Sequence, residues 1–176
     1  MNKKPHNFSS TLSGLGVLLI CLCFFAATPG ISEEKTVAPA KSEQSGSGTW
    51  SEDLKAATAL AKKENKLLFI LFTGSDWCGW CKKLNSEVFS SSKFTGWANK
   101  NVVLLKADFP NKIKQSAELS SQNKQLASRY NIKGFPTVVI TNADGKEIAR
   151  TGYQRGGVTP YIKYLNKICK QKGSAK

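Results

Sequence analysis

The sequence predicts an α/β domain in which a central mixed β-sheet is flanked by helices. A continuous apolar run at Leu67–Phe72 has the length and composition of a strand that is buried on both faces. Helical and strand patterns alternate on both sides of this run. No period of roughly 20 to 50 residues repeats along the chain, which excludes solenoids, and 176 residues favour one compact domain.

The elements of the first half follow from changes in hydrophobic periodicity. Apolar residues at helical spacing predict an added N-terminal helix that runs to about Glu64. Its apolar face comprises Trp50, Leu54, Ala57 and Ala61. After the strand and a turn, Cys81, Leu84 and Val88 share one face of a second helix. A second strand is predicted at Asn101–Ala107.

The second half contains a polar insertion, a hairpin and two helices. In chain order we predict a loop inserted within Asp108–Ser121, a helix containing Leu126 and Tyr130 that stops near Gly134, a strand at Thr137–Thr141, a turn at Asn142–Gly145 and an antiparallel strand at Lys146–Thr151. The final helix is predicted to have Thr159 as its cap and Pro160 as its first residue. Its buried stripe is Tyr161, Leu165 and Ile168.

Residues 1–30 have the organisation of a secretory signal peptide. Lys3 and Lys4 precede the apolar run Leu15–Ala27, and no acidic residue occurs before that run ends. The run is shorter than the roughly 20 residues that a membrane-spanning helix needs. We therefore expect a protein that is periplasmic or otherwise exported after the leader has been cleaved. An uncleaved membrane anchor is the alternative.

The segment after the leader is predicted to be a flexible tether. Residues 31–48 contain few large apolar side chains and end in a Gly/Ser stretch. The folded domain is predicted over residues 49–172, with a disordered tail at 173–176. Trp50 and Trp97 are expected in its core.

Charge and histidine content exclude several classes of function. The chain has a formal charge of +14, and loss of Lys3 and Lys4 lowers it to about +12. The lysines are scattered and no nucleic-acid motif accompanies them, so we expect a solvated basic surface and no nucleic-acid partner. Acidic proteins or an anionic membrane surface remain possible partners. The single histidine, His6, lies in the leader, which excludes a histidine metal site or a Ser-His-Asp triad in the mature chain.

The motif W-C-G-W-C at Trp77–Cys81 carries the predicted chemistry. Export would place its thiols in an oxidising compartment, where a close cysteine pair is either a structural bond or a redox centre. The backbone N–H groups at a helix start favour a thiolate at Cys78, whose sulfur is expected to be exposed. We predict Cys78 as the nucleophile and the less exposed Cys81 as the resolving cysteine.

Three other interpretations of the motif are weaker. A structural zinc site needs about four ligands, and the mature chain adds only Cys169, which is predicted to be a buried inert thiol. Haem attachment needs a histidine where Lys82 stands. A purely structural disulfide across so small a ring would constrain little chain entropy. We therefore expect neither a metal nor an organic cofactor.

A second motif, K-G-F-P-T at Lys133–Thr137, strengthens this prediction. With it the chain resembles the thioredoxin superfamily over about Trp50–Lys170. The matching residues are Trp77, Cys78, Gly79, Cys81, Lys82, Gly134, Phe135, Pro136, Thr137 and the region of Gly152. The resemblance implies a thioredoxin-like fold, a cis Pro136 that packs against the cysteines, and a Phe135 that contacts substrate. Trp77, Gly79 and Trp80 complete the expected substrate-binding residues, with Trp80 either in a docking face or covering the cysteine pair.

The longer string F-T-G-S-D-W-C-G-W-C-K-K-L, 72–84, resembles exported bacterial thioredoxin-like proteins of the disulfide-reductase and interchange (Dsb) type. The resemblance implies a monomeric protein-disulfide reductase. Its substrates would be disulfide-containing exported proteins, and a thiol-disulfide electron donor, membrane-bound or soluble, would act upstream. An oxidase or isomerase of the same fold and a non-catalytic, chaperone-like binding module for cysteine-rich partners remain alternatives.

The chain also departs from thioredoxin at two positions. Phe72 stands where thioredoxin has a buried aspartate, and Leu104 stands near the place of its partner lysine. Proton transfer at Cys81 then needs water or another acid. Asp76 and Glu87 are the candidates, although both are expected to be solvated surface charges.

Overall fold

The computed structural model describes residues 49–170, so the predicted leader, tether and tail lie outside the described residues. The helices are α1 (Leu54–Lys63), α2 (Gly79–Leu84), α3 (Ser92–Asn101), α4 (Ala117–Arg129) and α5 (Val158–Lys170). The strands are β1 (Leu67–Thr73), β2 (Val102–Asp108), β3 (Thr137–Thr141) and β4 (Glu147–Gly152). A π-helical segment, Asn85–Phe89, continues α2.

The strands form one mixed sheet in the order β2-β1-β3-β4. The pair β1 and β2 is parallel, whereas β3 is antiparallel to both β1 and β4. Every residue of β1 is buried, because strands cover both of its edges and side chains cover both faces. The predicted architecture of a mixed sheet flanked by helices is confirmed.

Alternating side chains of β1 divide the core between the two faces of the sheet. Phe69 belongs to a cluster that includes residues of α3, α5 and the π-helical segment. Ile70 belongs to a second cluster with residues of α1 and α4. Trp97 is buried, as predicted. Trp50 is only partly buried and packs edge-on against Phe69 at the border of the core, with ring centroids 6.0 Å apart.

The chain before α1 is extended rather than helical. Asp53 caps α1 by accepting hydrogen bonds from the backbone N–H groups of the first turn. Ser51 forms a parallel bridge with Leu105, donating its N–H to the oxygen of Leu104 at 3.0 Å. Trp50 therefore reaches the core from an added extended segment, and the prediction that the helix includes it was wrong.

Two further helix boundaries differ from the prediction. The single helix expected after the cysteine motif is divided, because Ser91 caps a new helix by accepting the N–H of Lys93 at 3.2 Å. The last helix begins at Val158, so Thr159 lies inside it rather than at its cap. Gly157, with φ of +76°, precedes that helix in a conformation that favours glycine.

The predicted insertion is present as a loop at residues 109–116, the 109–116 loop. It joins β2 to α4, and Ser116 caps α4 by accepting the N–H of Leu119 at 3.1 Å. None of the helices within residues 49–170 has the length and apolar character to span a membrane.

Candidate active site

Cys78 and Cys81 form a disulfide at the start of α2, which follows β1 after a short turn. Their Cα atoms are 5.2 Å apart. Cys78 is the N-cap of α2, and its sulfur accepts the backbone N–H of Cys81 at 3.2 Å. The structure therefore brings the two predicted cysteines together, with one sulfur at the unsatisfied N–H groups of a helix start.

The sulfur of Cys78 is less exposed than the sequence predicts. Cys78 is 7% exposed and Cys81 is 4% exposed, so the two cysteines differ little in the oxidised protein. The reason is that the Cys78 side chain turns inward to bond Cys81 and to accept its N–H.

Trp77 is fixed beside the disulfide although 46% of it is exposed. Its indole Nε1 donates a hydrogen bond to the backbone oxygen of Phe109 at 2.7 Å. The ring also meets Phe135 edge-on at 5.9 Å between centroids. Gly74 permits this position, since a Cβ there would lie 2.6 Å from Trp77 Nε1. The exposed indole is therefore a rigid surface feature.

The proline turn lies against the same end of β1. The peptide bond between Phe135 and Pro136 is cis, which is the isomer that the resemblance implies. Thr137 pairs with Phe72, so Pro136 adjoins the end of β1 from which the cysteine turn leaves. Phe135 stacks on Phe109 at 5.1 Å between centroids. The aromatic set of Trp77, Phe109 and Phe135 forms one wall of the site.

Trp80 forms a second aromatic surface at the cysteine motif. It is 54% exposed, and its ring lies 5.0 Å from that of Tyr153. The Nζ atom of Lys83 lies 5.6 Å and 5.7 Å from the centroids of these two rings, within the range of cation–π attraction. Gly79 is exposed between the cysteines, and a Cβ at this position would meet no atom within 4 Å.

Asp76 does not behave as a solvated surface charge. Its carboxylate accepts the backbone N–H groups of Asn111 at 3.0 Å, Lys112 at 2.6 Å and Ile113 at 3.3 Å. These hydrogen bonds stabilise the ionised form and hold the pKa of Asp76 below its ordinary value of 3.8. Asp76 is therefore a structural acceptor, which argues against its role as the proton donor for Cys81.

Glu87 accepts a hydrogen bond from the hydroxyl of Tyr153 at 2.9 Å. Its other oxygen lies 3.8 Å from Lys83 Nζ. Glu87 thus supports the surface formed by Trp80 and Tyr153. Phe72 and Leu104 are buried to 0% and 1% exposure, so neither of these positions brings an ionisable group to the cysteines.

Sequence reasoning missed the residues that anchor the cysteine turn. Asp108, at the end of β2, is buried, and its carboxylate accepts both the backbone N–H and the hydroxyl of Ser75. Thr73 and Asp108 are partners in the β1–β2 register, and a signal was available because each residue directly follows a predicted strand. Phe109 and Tyr153 were also missed, since their neighbours come from distant parts of the chain.

Cys169 is distant in sequence from the motif and takes no part in the disulfide. It is partly exposed on α5 and packs at the edge of one core cluster. The prediction of a fully buried thiol was therefore wrong, because Cys169 follows Ile168 on the helix and lies at the border of the apolar stripe. Within residues 49–170, no three His, Cys, Asp or Glu side chains are grouped to hold a metal ion.

Known proteins are similar to this chain in sequence and in fold. A family model described as a thioredoxin-like domain matches residues 54–167. The disulfide bond reductase DsbH of Chlamydia pneumoniae is 36% identical over 110 residues, 62% of this chain and 66% of that protein. The thioredoxin-related protein DsbJ of the same organism is 28% identical over 66% of this chain, which is only 34% of its own length. The chain thus spans less than two thirds of each.

Solved structures agree with this relationship. A structure titled DsbH Oxidoreductase has a TM-score of 0.67 and 30% identity, covering 77% of this chain and 94% of that one. A thioredoxin from Thermus thermophilus, 20% identical with a TM-score of 0.51, covers 68% of this chain and 85% of its own and shares the fold. The family match over most of the described residues, together with the disulfide at the start of α2, establishes that this chain belongs to the thioredoxin-like family.

Proposed function

We propose that the chain is an exported thiol-disulfide oxidoreductase that reduces disulfides in envelope or secreted proteins. The observation that carries this proposal is the Cys78–Cys81 disulfide at the start of α2, beside the cis Phe135–Pro136 bond. The relative DsbH, which is named a disulfide bond reductase, supports the direction of electron flow. Residues 1–30 act as the signal peptide, and residues 31–48 tether the domain.

In the proposed reaction, the reduced protein donates two electrons to a substrate disulfide. The Cys78 thiolate attacks one substrate sulfur, so that a mixed disulfide forms and the other substrate sulfur leaves as a thiolate. The Cys81 thiolate then attacks Cys78 Sγ and releases the second substrate thiolate. The protein ends with its disulfide closed, and an upstream dithiol protein must reduce it again.

The local geometry supports Cys78 as the nucleophile and Cys81 as the resolving cysteine. Cys78 occupies the N-cap, where the N–H of Cys81 already donates to its sulfur. A hydrogen bond to a thiolate lowers the pKa of a thiol, and the attacking species is the thiolate. Cys81 lies inside the first turn of α2, and in the closed disulfide its sulfur is bonded to Cys78 Sγ.

The exposed aromatic residues are the proposed substrate-binding surface. Trp77 and Trp80 both belong to the cysteine motif, and each packs against a second ring, Trp77 against Phe135 and Trp80 against Tyr153. Phe135 and Pro136 lie at an end of β3, where an extended substrate segment can align with the proline turn. Gly79 lies between the two cysteines in sequence, and a Cβ at this position would meet no atom within 4 Å.

Reduction of insulin in the presence of dithiothreitol tests this function. We expect Cys78→Ser to abolish the acceleration, because no thiolate remains to attack the substrate. Cys81→Ser should accumulate a mixed disulfide, because the resolving step is lost. Cys169→Ser is the matched control and should retain the wild-type rate.

The alternatives give different results in the same assays. A protein that suppresses insulin aggregation equally well with and without Cys78, and that never accelerates reduction, would be a binding module. Rapid oxidation of reduced, unfolded substrates by the disulfide form, without reduction of insulin, would identify an oxidase.

We expect the protein to be a monomer in solution. Light scattering of residues 49–176 measures its molar mass and so tests this expectation.

The proposed leader has its own test. Fusion of residues 1–30 to a reporter enzyme that is active only after export should give activity, and removal of Leu15–Ala27 should abolish it. Retention of the fusion in the cytoplasm would refute the proposed export.

A further inference from the structure

The exposed apolar side chains of the domain are concentrated around the disulfide. Among residues 49–170, the exposed large hydrophobic side chains are Trp77, Trp80 and Ile113. Two belong to the cysteine motif, and the third belongs to the 109–116 loop. Exposed apolar residues that cluster at one place mark a binding surface, whereas scattered ones do not. Ile113, which is 60% exposed, is the member of this group that the proposed reaction does not use.

The 109–116 loop is bound to the cysteine turn rather than free beside it. Three consecutive N–H groups of the loop, from Asn111 to Ile113, donate to the Asp76 carboxylate two residues before Cys78. The indole of Trp77 donates to the oxygen of Phe109 at 2.7 Å. The position of Ile113 relative to the disulfide is therefore set by hydrogen bonds from two adjacent residues of the turn.

The same loop presents positive charge on both sides of Ile113. Lys112 and Lys114 are exposed, and no acidic side chain within residues 49–170 forms an ion pair with either of them. The nearby carboxylates of Asp76 and Asp108 are directed into hydrogen bonds with the loop and with Ser75. The rim beside the disulfide is therefore an apolar side chain between two available cations.

We propose that the 109–116 loop selects substrates whose disulfide lies next to an apolar side chain with acidic neighbours. Ile113 contacts the apolar side chain, and Lys112 and Lys114 attract the carboxylates. Asp76 is a positioning residue that holds this rim in place. The inference rests on the proposed reductase function and names the chemical class of its protein substrates.

Three synthetic peptides with the same internal disulfide test the selectivity. Beside one cysteine, the first carries a leucine flanked by two aspartates, the second a leucine flanked by two lysines, and the third a serine flanked by two aspartates. We expect kcat/KM for the first peptide to exceed that for the second by about fivefold, since two exposed charge pairs contribute modestly. The preference should shrink as salt is added, and the serine peptide should also be a poorer substrate than the first.

Variants assign the preference to the loop. The double change Lys112→Glu and Lys114→Glu should reverse the order of the first two peptides, and Ile113→Ser should remove the difference between leucine and serine. The matched control, Lys163→Glu with Lys167→Glu on the exposed part of α5, alters net charge equally and should leave the order unchanged. Asp76→Asn should raise KM for the first peptide with little effect on kcat.

Each failure has a distinct meaning. Equal kcat/KM for all three peptides, or an unchanged order in the Lys112→Glu and Lys114→Glu variant, would overturn the selectivity while leaving the reductase function standing. A protein that reduces none of the peptides and no insulin would overturn the proposed function itself. Reversal of the order by the α5 control as well would assign the preference to overall charge and overturn the role of the loop.

Discussion

At the scale of single residues, glycine and tryptophan together shape the approach to the disulfide. Gly74 has no side chain, and the Trp77 indole occupies the space that a Cβ would need. The indole is a rigid ring, so its atoms cannot move independently of one another. Any larger residue at position 74 must therefore displace the whole Trp77 ring or the cysteine turn.

We therefore predict that Gly74→Ala lowers the free energy of unfolding by about 1–3 kcal/mol. Its matched control is Gly96→Ala in α3, where a Cβ meets no atom within 4 Å and helix propensity should raise stability by up to about 1 kcal/mol. Urea unfolding measures both. Equal effects of the two substitutions would refute the role assigned to the Trp77 contact.

Tyr161 provides a second test at this scale. Its ring is buried, and its hydroxyl makes no hydrogen bond of normal geometry within residues 49–170. Burial raises the pKa of Tyr161 well above its ordinary value, an effect that the hydroxyl of Thr151 offsets only in part. An unsatisfied buried hydroxyl destabilises the folded state, so removing it should be neutral or stabilising.

Tyr161→Phe should accordingly keep or raise the free energy of unfolding by up to about 1 kcal/mol. Tyr130→Phe is the control, because the Tyr130 hydroxyl donates to the oxygen of Gly145 at 3.0 Å. That variant should lose about 1 kcal/mol. A clear loss of stability in Tyr161→Phe, measured by the same unfolding experiment, would contradict this description of the hydroxyl.

At the scale of elements, the junction between the cysteine turn and the 109–116 loop should depend on pH. The pKa of Asp76 is lower in the folded protein than its ordinary value of 3.8 because three N–H groups bond the carboxylate. The ionised Asp76 carboxylate therefore contributes its full stabilisation of the folded protein above the ordinary pKa of 3.8. This contribution is lost as the pH falls toward the lower pKa of the folded protein.

The prediction compares wild type with Asp76→Asn between pH 6 and pH 2.5. Wild type should be more stable at the upper end, and the difference between the two proteins should narrow as the solution becomes more acidic than about pH 4. Thermal unfolding of both proteins measures it. A stability difference that stays constant over this range would show that the ionised carboxylate is not what secures the loop.

The elements that were predicted correctly are those whose sequence signal is local. The strand β1 was predictable because its apolar run is long enough to identify a strand buried on both faces. The cysteine pair was predictable for a similar reason, since both sulfurs and their helix start lie within four residues. The start of α1 was not, because the pairing of Ser51 with β2 outweighs the helical spacing of Trp50.

The anchoring contacts of the site could not be predicted in the same way. Asp108 and Ser75 are 33 residues apart in sequence, and the hydrogen bonds of Asp76 join residues of similar separation. Only the register of β1 with β2 brings these polar groups together. The sequence therefore predicted a solvated surface charge at Asp76, whereas in the folded protein its carboxylate accepts three backbone N–H groups.

At the scale of the whole molecule, the groups on which thiol chemistry depends lie together at one end of the strands. The ends of β1 and β2 and the start of β3 supply the cysteine turn, the 109–116 loop and the proline turn. The two core clusters hold these strands in register from both faces. Because these three segments meet only in the folded sheet, loss of the β1–β2 pairing should abolish binding and chemistry together.

The equilibrium reduction potential of the Cys78–Cys81 pair in redox buffers tests the proposed direction of electron flow most directly. A reductase should hold its dithiol strongly reducing, so we predict a value near the thioredoxin end of the scale, about −270 mV. A value of about −120 mV, typical of a strong disulfide oxidant, would contradict the account.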